Sequence, residues 1–230
     1  MSLDPAITGL LGLMLLVSLR GAWLSWKKSS RWPSRLLAVA FGCLALLTAL
    51  SLALGWRLEF ARGSSMLPTL GRTNVFWVKH QRFASDDLPA RGSVVLFESP
   101  VPQEGKRLNL AKRVIGLPGD RVVYRRGELS VNGQAVVTHW SAASLSRFQQ
   151  PGPLWEGGAE INRHRFSVLS DHGAHFPIGV DIVVPQGHCF VMGDNWGNSL
   201  DSRDVGAIPA ERIHGTLLLA WGEEASWTRP

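Results

Sequence analysis

A serine, a lysine and a dense polar loop are the parts of this sequence that could do chemistry, and they lie in three separate stretches. The first is Gly63-Ser64-Ser65-Met66-Leu67-Pro68-Thr69-Leu70, set between an apolar run and the alternating pattern Val75-Phe76-Trp77-Val78. A serine in a short turn between a membrane-like segment and a strand is a candidate exposed nucleophile, and Ser65 is that candidate. A hydroxyl is a weak nucleophile until a base takes its proton, so Ser65 needs a partner from elsewhere in the chain. Taken alone, the stretch also reads as an ordinary turn built from Gly, Ser and Pro.

The second stretch, Leu110-Ala111-Lys112-Arg113-Val114-Ile115-Gly116-Leu117-Pro118-Gly119-Asp120, sets a Lys-Arg pair inside an apolar strand that ends at a Pro-Gly turn. A lysine has a reference pKa of about 10.4, so it serves as a base at neutral pH only if burial lowers that value by roughly two units or more. Such a shift corresponds to about 3 kcal/mol against the charged form, which an apolar site can supply. Lys112, flanked by Leu110, Ala111, Val114 and Ile115, is the candidate base; the plainer reading is a solvated Lys-Arg pair at a strand end.

The third stretch is Met192-Gly193-Asp194-Asn195-Trp196-Gly197-Asn198-Ser199-Leu200-Asp201-Ser202-Arg203. An EF-hand-like loop wants oxygen ligands at positions one, three and five with Gly at six, but Trp196 stands third and Asn198-Ser199 breaks the rest. The better reading is support: a Ser199 hydroxyl to orient the lysine amine, with Asp201 and Arg203 to hold the loop in shape. A plain surface turn is the alternative. His172 and His175 are spaced for a zinc pair on a helix, but Gly173 and Pro177 argue for a loop, and no metal is expected.

These residues need a scaffold, and the composition divides the chain in two. Of 230 residues 45% are apolar, with much of the excess before Trp56. The run Leu36 to Trp56 carries no charge, and a weaker run from Ala6 to Trp26 is broken by Arg20. Roughly 20 apolar residues cross a bilayer, so both are candidate spans. A cleavable signal peptide is disfavoured for the first, because Met1 to Pro5 carries Asp4 and no basic residue. Lys27, Lys28, Arg31 and Arg35 lie between the runs, and positive loops stay cytoplasmic, so both the N-terminus and everything after Trp56 should lie outside the cytoplasm.

The expected organisation is a membrane anchor over residues 1–57 and a β-rich domain over 58–230. Short alternating runs fill the second part: Val75 to Val78, Ser93 to Phe97, Val122 to Tyr124, Leu129 to Val131, Ala135 to Val137, Ile182 to Val184, Cys189 to Met192 and Thr216 to Trp221. Arg126-Gly127 and Asn132-Gly133 mark tight hairpins. From about Thr138 to Pro185 periodicity is weak, which reads as an insertion or lid. A net charge of +6 suits anionic lipid better than nucleic acid, since no basic stripe with interleaved aromatics is present. Cys43 and Cys189 are expected to stay unpaired. Trp56, Trp221 and Trp227 suit a lipid interface, and core packing is an equal reading for Trp221.

In this order and spacing the three stretches, with Gly92-Ser93-Val94-Val95-Leu96-Phe97 between them, resemble the conserved boxes of bacterial type I signal peptidases. That resemblance covers most of the chain except about Thr138 to Pro185. It implies a mainly β, antiparallel catalytic domain behind two N-terminal transmembrane helices, in the bacterial inner membrane with the catalytic side periplasmic. It implies Ser65 as nucleophile, Lys112 as general base, and Ser199, Asp201, Arg113 and Arg203 as support. The Ser65 backbone N–H would bind the oxyanion. Many relatives have a serine where this chain has Gly63, so the second donor is open, with Ser64, a water or another backbone N–H as the substitutes.

No cofactor is implied. The implied substrates are secreted precursors with small residues at the first and third positions before the cleaved bond, bound as an added strand. A processing peptidase for one exported substrate, such as a conjugative pilin, is the near alternative. A silent peptide-binding β-domain would lack Ser65 or Lys112, and a self-cleaving repressor would need a DNA-binding segment where the apolar runs stand.

Overall fold

The change from unbroken apolar sequence to short alternating runs becomes a change from helix to antiparallel strand. The computed structural model describes residues 16–21, 23–24, 32–61, 63–71, 75–102, 105, 108–143, 154–171, 179–221 and 227–228. Two compact units divide the chain, Met1–Arg57 and Leu58–Pro230.

Helix α1 (Trp32–Ala53) is rich in alanine and leucine, strong helix formers. Gly55, at φ 76°, ends it with a left-handed residue, and Trp56 already belongs to a strand, so the helix ends at Ala53, before the expected end of the span at Trp56. Among the described residues no helix is long and apolar enough to cross a membrane; the described side chains of α1 run over 36–51 and 53. The expected span Ala6 to Trp26 lies mostly outside the described residues, as do His172, His175 and the side chain of Trp227.

The strands follow as β1 (Trp56–Phe60), β2 (Val75–His80), β3 (Val94–Glu98) and β4 (Asn109–Gly116), then β5 (Arg121–Arg125), β6 (Glu128–Val131) and β7 (Gln134–Ala135). Next come β8 (Val137–Ala142), β9 (Trp155–Ile161), β10 (His164–Ser170) and β11 (Val180–Val183). After β12 (His188–Met192) lie the one-turn helix α2 (Ser202–Val205), β13 (Ile208–Pro209), β14 (Ile213–Trp221) and β15 (Trp227–Thr228). The main sheet runs β1-β2-β14-β3-β4-β12-β13, with β15 beside β14, and every pairing given for it is antiparallel.

The main sheet is covered on both faces, which is why β3 reads as a continuous apolar run rather than an alternating one. Val95 and Phe97 pack with Val114, Cys189, Val191, Ile208 and Ile213. Val94 and Leu96 pack with Phe76, Val78 and Leu217, and Met66 and Leu70 of the serine turn seal that cluster. The nucleophile candidate is thus pinned from its C-terminal side by buried apolar residues.

The hairpins fall where glycine places them: β5 turns into β6 at Arg126-Gly127 and β6 into β7 at Asn132-Gly133, with all four residues at positive φ between 50° and 79°. That double left-handed turn matches the twist of two antiparallel strands. The described residues of the segment expected as an insertion or lid form, for the most part, a three-stranded antiparallel sheet, β10-β9-β8. Its pattern is masked by Gly157 and Gly158 in β9. A Cβ on Gly157 would meet the Trp140 ring at 2.8 Å and one on Gly158 the His139 ring at 2.6 Å, so partner side chains occupy the space a normal strand would fill.

Gly116 closes β4 against Val122, Val184 and Phe190, and a Cβ there would lie 2.7 Å from Val122 Cγ2 and 3.0 Å from Val184 Cγ2. Gly116→Ala is expected to destabilise by about 1–3 kcal/mol through overpacking. Denaturant unfolding of the full chain, followed by tryptophan fluorescence, checks this; an unchanged midpoint contradicts it.

Candidate active site

The serine turn and β4 converge on one contact. Lys112 Nζ donates to Ser65 Oγ at 2.6 Å across 47 positions of sequence. Lys112 lies opposite Val95 and Arg113 opposite Val94, so the two basic neighbours leave the strand on opposite faces. Lys112 is 1% exposed. Burial pushes its amine down from 10.5 to about 8, against the upward pull of Asp201 and then Asp194, with Arg203 adding a small push downward. A second hydrogen bond, from Nζ to the Ala111 carbonyl at 3.0 Å, orients the amine.

Arg113 makes the other half of the site. Its guanidinium grips Asp194 with two bonds, Nε to Oδ1 at 2.9 Å and a terminal nitrogen to Oδ2 at 2.7 Å. It also donates to the Gly92 carbonyl at 2.8 Å and to Thr69 Oγ1 at 3.2 Å, and it lies over the Phe166 ring at 4.1 Å. Thr69 closes the triangle by donating to Asp194. Both charges are 1% exposed, so removing either partner would strand the other in a dry interior.

Asp201 holds the polar loop from its far end. It caps α2 in a reciprocal box with Asp204, accepts the Gly193 N–H at 2.9 Å, and takes two side-chain bonds from Arg203 at 2.9 and 2.8 Å. Arg203 also donates to the Trp196 carbonyl at 2.9 Å. Ser199, expected to orient the lysine, is placed otherwise. Its Oγ is buried without a hydrogen-bond partner among the described residues and crowds Gly193, where a Cβ would strike both that hydroxyl and the Ser65 carbonyl. The acceptor that aims the amine is the Ala111 carbonyl instead.

Residues that the sequence did not single out tie this loop to the serine turn. Asn195 N–H donates to the Ser65 carbonyl at 3.0 Å and its side-chain amide to the Ser64 carbonyl at 3.0 Å. Asn198 Nδ2 donates to Ser64 Oγ at 2.9 Å. The density of asparagine in this loop was the available signal. Gly63 has open space where a side chain would stand. Among the described residues no cluster of His, Cys, Asp or Glu is placed to hold a metal, and the carboxylates of Asp194 and Asp201 are already bound by arginine. A cavity of about 490 Å³ lies elsewhere, lined by Thr138, His139, Glu160, Arg165 and Phe166 among others, and neither Ser65 nor Lys112 borders it.

A buried lysine amine bonded to a serine hydroxyl in a water-poor pocket can take that hydroxyl's proton and make the oxygen a nucleophile. Comparison with known proteins gives the family. The family model described as signal peptidase, peptidase S26, matches residues 34–221. The chain is similar to signal peptidase I of Bacillus amyloliquefaciens, 32% identical over 156 residues that cover 67% of this chain and 69% of that protein. It is also similar to signal peptidase I S of Bacillus subtilis (strain 168), 33% identical with 67% and 70% covered. With signal peptidase I of Pseudomonas fluorescens it shares 34% identity over 62% of this chain and 51% of that protein.

The depressed amine pKa has a consequence for stability. Between about pH 8 and 10.5 the unfolded chain holds a proton that the folded chain has released, so stability rises with pH across that window. Below about pH 8 the amine is charged in both states and the cost of burying it is fully present. Lys112→Met is therefore expected to stabilise the fold at pH 7, by on the order of 3 kcal/mol at most, with the advantage vanishing toward pH 10.5. Thermal unfolding of both proteins across that range checks it, and a gap that does not depend on pH contradicts it.

Proposed function

Since this chain belongs to the signal peptidase family, peptidase S26, we propose that its serine endopeptidase activity, the removal of signal peptides from exported precursors, runs on a dyad of Ser65 and Lys112. The observation that carries this reading is the 2.6 Å bond between Lys112 Nζ and Ser65 Oγ with the amine sealed from water. A neutral Lys112 accepts the Ser65 proton as Oγ attacks the carbonyl carbon before the scissile bond. The oxyanion forms beside the Ser65 N–H. As the intermediate collapses, the C–N bond breaks, the Lys112 ammonium protonates the leaving amine, and an ester to Ser65 remains. Water then attacks the ester, Lys112 takes its proton, and that proton returns to Ser65 as the new carboxyl terminus leaves.

The supporting side chains act by fixing geometry. Arg113 locks Asp194, Asp201 locks Gly193 and Arg203, and both carboxylates hold the loop whose Asn195 grips the Ser64 and Ser65 carbonyls. The substrate enters extended, as an added strand, with small residues before the bond.

The anchor reading rests on α1. Its leucines stand in the open, Leu36 at 61%, Leu46 at 69% and Leu47 at 60%, on a helix that is apolar all round. Such a surface is at home in hydrocarbon rather than water. With the basic residues Lys27, Lys28, Arg31 and Arg35 kept in the cytoplasm, the peptidase domain lies on the outer, periplasmic side of a bacterial inner membrane.

Ser65→Ala and Lys112→Ala are each expected to cut precursor cleavage by on the order of 10⁴-fold while the domain stays folded. Cleavage by the native enzyme should rise about tenfold per pH unit below a midpoint near 8 and level off above it, because only the neutral amine is a base. Initial rates on a membrane-inserted precursor between pH 6 and 10 check both. Turnover by either variant at the native rate, or a profile flat through pH 8, refutes the dyad.

A further inference from the structure

Attack by Ser65 turns a neutral carbonyl oxygen into an anion, and a single donor leaves much of that charge unsatisfied. The Ser65 N–H supplies one donor, and Gly63 has no side chain to supply another. Ser64 does. It is 8% exposed, it precedes the nucleophile directly, and its Oγ is joined to the Ser65 amide only through its own Cβ, Cα and carbonyl carbon. That tether keeps the hydroxyl within one residue of the N–H that receives the oxyanion.

The hydrogen bonds around Ser64 decide what its hydroxyl has left to give. The carbonyl accepts from Asn195 Nδ2 at 3.0 Å and from the Leu67 N–H at 3.2 Å, so the peptide plane is held from two sides. The Oγ accepts from Asn198 Nδ2 at 2.9 Å. A hydroxyl has one donor and two acceptor sites, and here a neighbour's N–H fills an acceptor site. The hydroxyl proton cannot point back at that N–H, and no described residue accepts it.

On the dyad reading above, we propose that Ser64 is the second oxyanion donor of this enzyme, and that Asn198 is a positioning residue that turns the Ser64 hydroxyl toward the reacting carbonyl. The assignment accounts for two features otherwise unconnected: the missing side chain at Gly63, and a loop asparagine spent on the hydroxyl next to the nucleophile rather than on the nucleophile itself.

The test uses the full chain and compares precursor cleavage with inhibition by a substrate-like peptide aldehyde, which forms a tetrahedral adduct on Ser65. Ser64→Ala should lower kcat by on the order of 10²-fold with KM unchanged, and should weaken the aldehyde by a similar factor. Ser64→Thr, which restores the hydroxyl, should recover most of that loss. Asn198→Asp keeps a bond between the two side chains but reverses it, so that the hydroxyl donates to the carboxylate. It should lose activity as Ser64→Ala does, even at pH values above the midpoint of cleavage where Lys112 is neutral, with the melting temperature held.

A purely structural latch predicts instead that Asn198→Asp retains activity, or that Ser64→Ala shifts the pH midpoint by disturbing Lys112; either result overturns the proposal. So does Ser64→Ala with kcat within about threefold of native, since one oxyanion donor is worth far more. Ser65→Ala run alongside separates the two levels. If it cleaves normally, the dyad itself has failed, whereas an inert Ser65→Ala beside an unaffected Ser64→Ala sinks only this inference.

Discussion

Everything in the catalytic half of this molecule answers to one demand, that a lysine amine be kept out of water within reach of a serine hydroxyl. Burial, with a smaller push from Arg203, drives Lys112 toward neutrality, and two carboxylates, Asp201 and Asp194, pull it back toward charge. The fold resolves that conflict by giving each carboxylate its own buried arginine. Asp194 is held by Arg113 and Asp201 by Arg203, in both cases through two hydrogen bonds. The acids can then act as structural pins beside the amine without fixing a proton on it.

The sheet β8–β10 belongs to the same construction. Leu67 of the serine turn packs against Leu154 and Leu169. Phe166 lies on the Arg113 guanidinium, and Trp140 meets Trp196 edge-on with ring centroids 5.5 Å apart. Leu169 of β10 is hydrogen-bonded on both sides of Asn195, its N–H to the Asp194 carbonyl at 2.8 Å and its carbonyl to the Trp196 N–H at 2.7 Å. This sheet is a buttress behind the polar loop, and the loop in turn holds the serine turn.

The legible parts of the sequence were those in which a residue's chemistry and its local pattern agree. Lys112 stands out because a cation has no business in an apolar strand, and the Arg126-Gly127 and Asn132-Gly133 hairpins because few residues tolerate two left-handed positions in a row. The strand β9 was hidden because Gly157 and Gly158 carry no side chains to alternate, and its packing depends on Trp140 and His139 from a neighbouring strand. Thr69, Asn195 and Asn198 were missed as individual residues because their roles come from partners more than forty or a hundred positions away. Ser199 was placed on the lysine, yet its hydroxyl is turned to Gly193, a matter of side-chain direction that spacing does not encode. The end of α1 at Ala53 rather than Trp56 follows from Gly55, visible only once the helix is known to stop there.

The central claim is that Lys112 sheds its proton near neutral pH because the fold buries it. Selective carbon-13 labelling of lysine and NMR titration of the Lys112 side chain, assigned by its loss in Lys112→Met, measures this without reference to any substrate. A midpoint near 8 is the result this account predicts. A midpoint at or above the ordinary lysine value of about 10.4 contradicts it, whatever the distance between the two side chains.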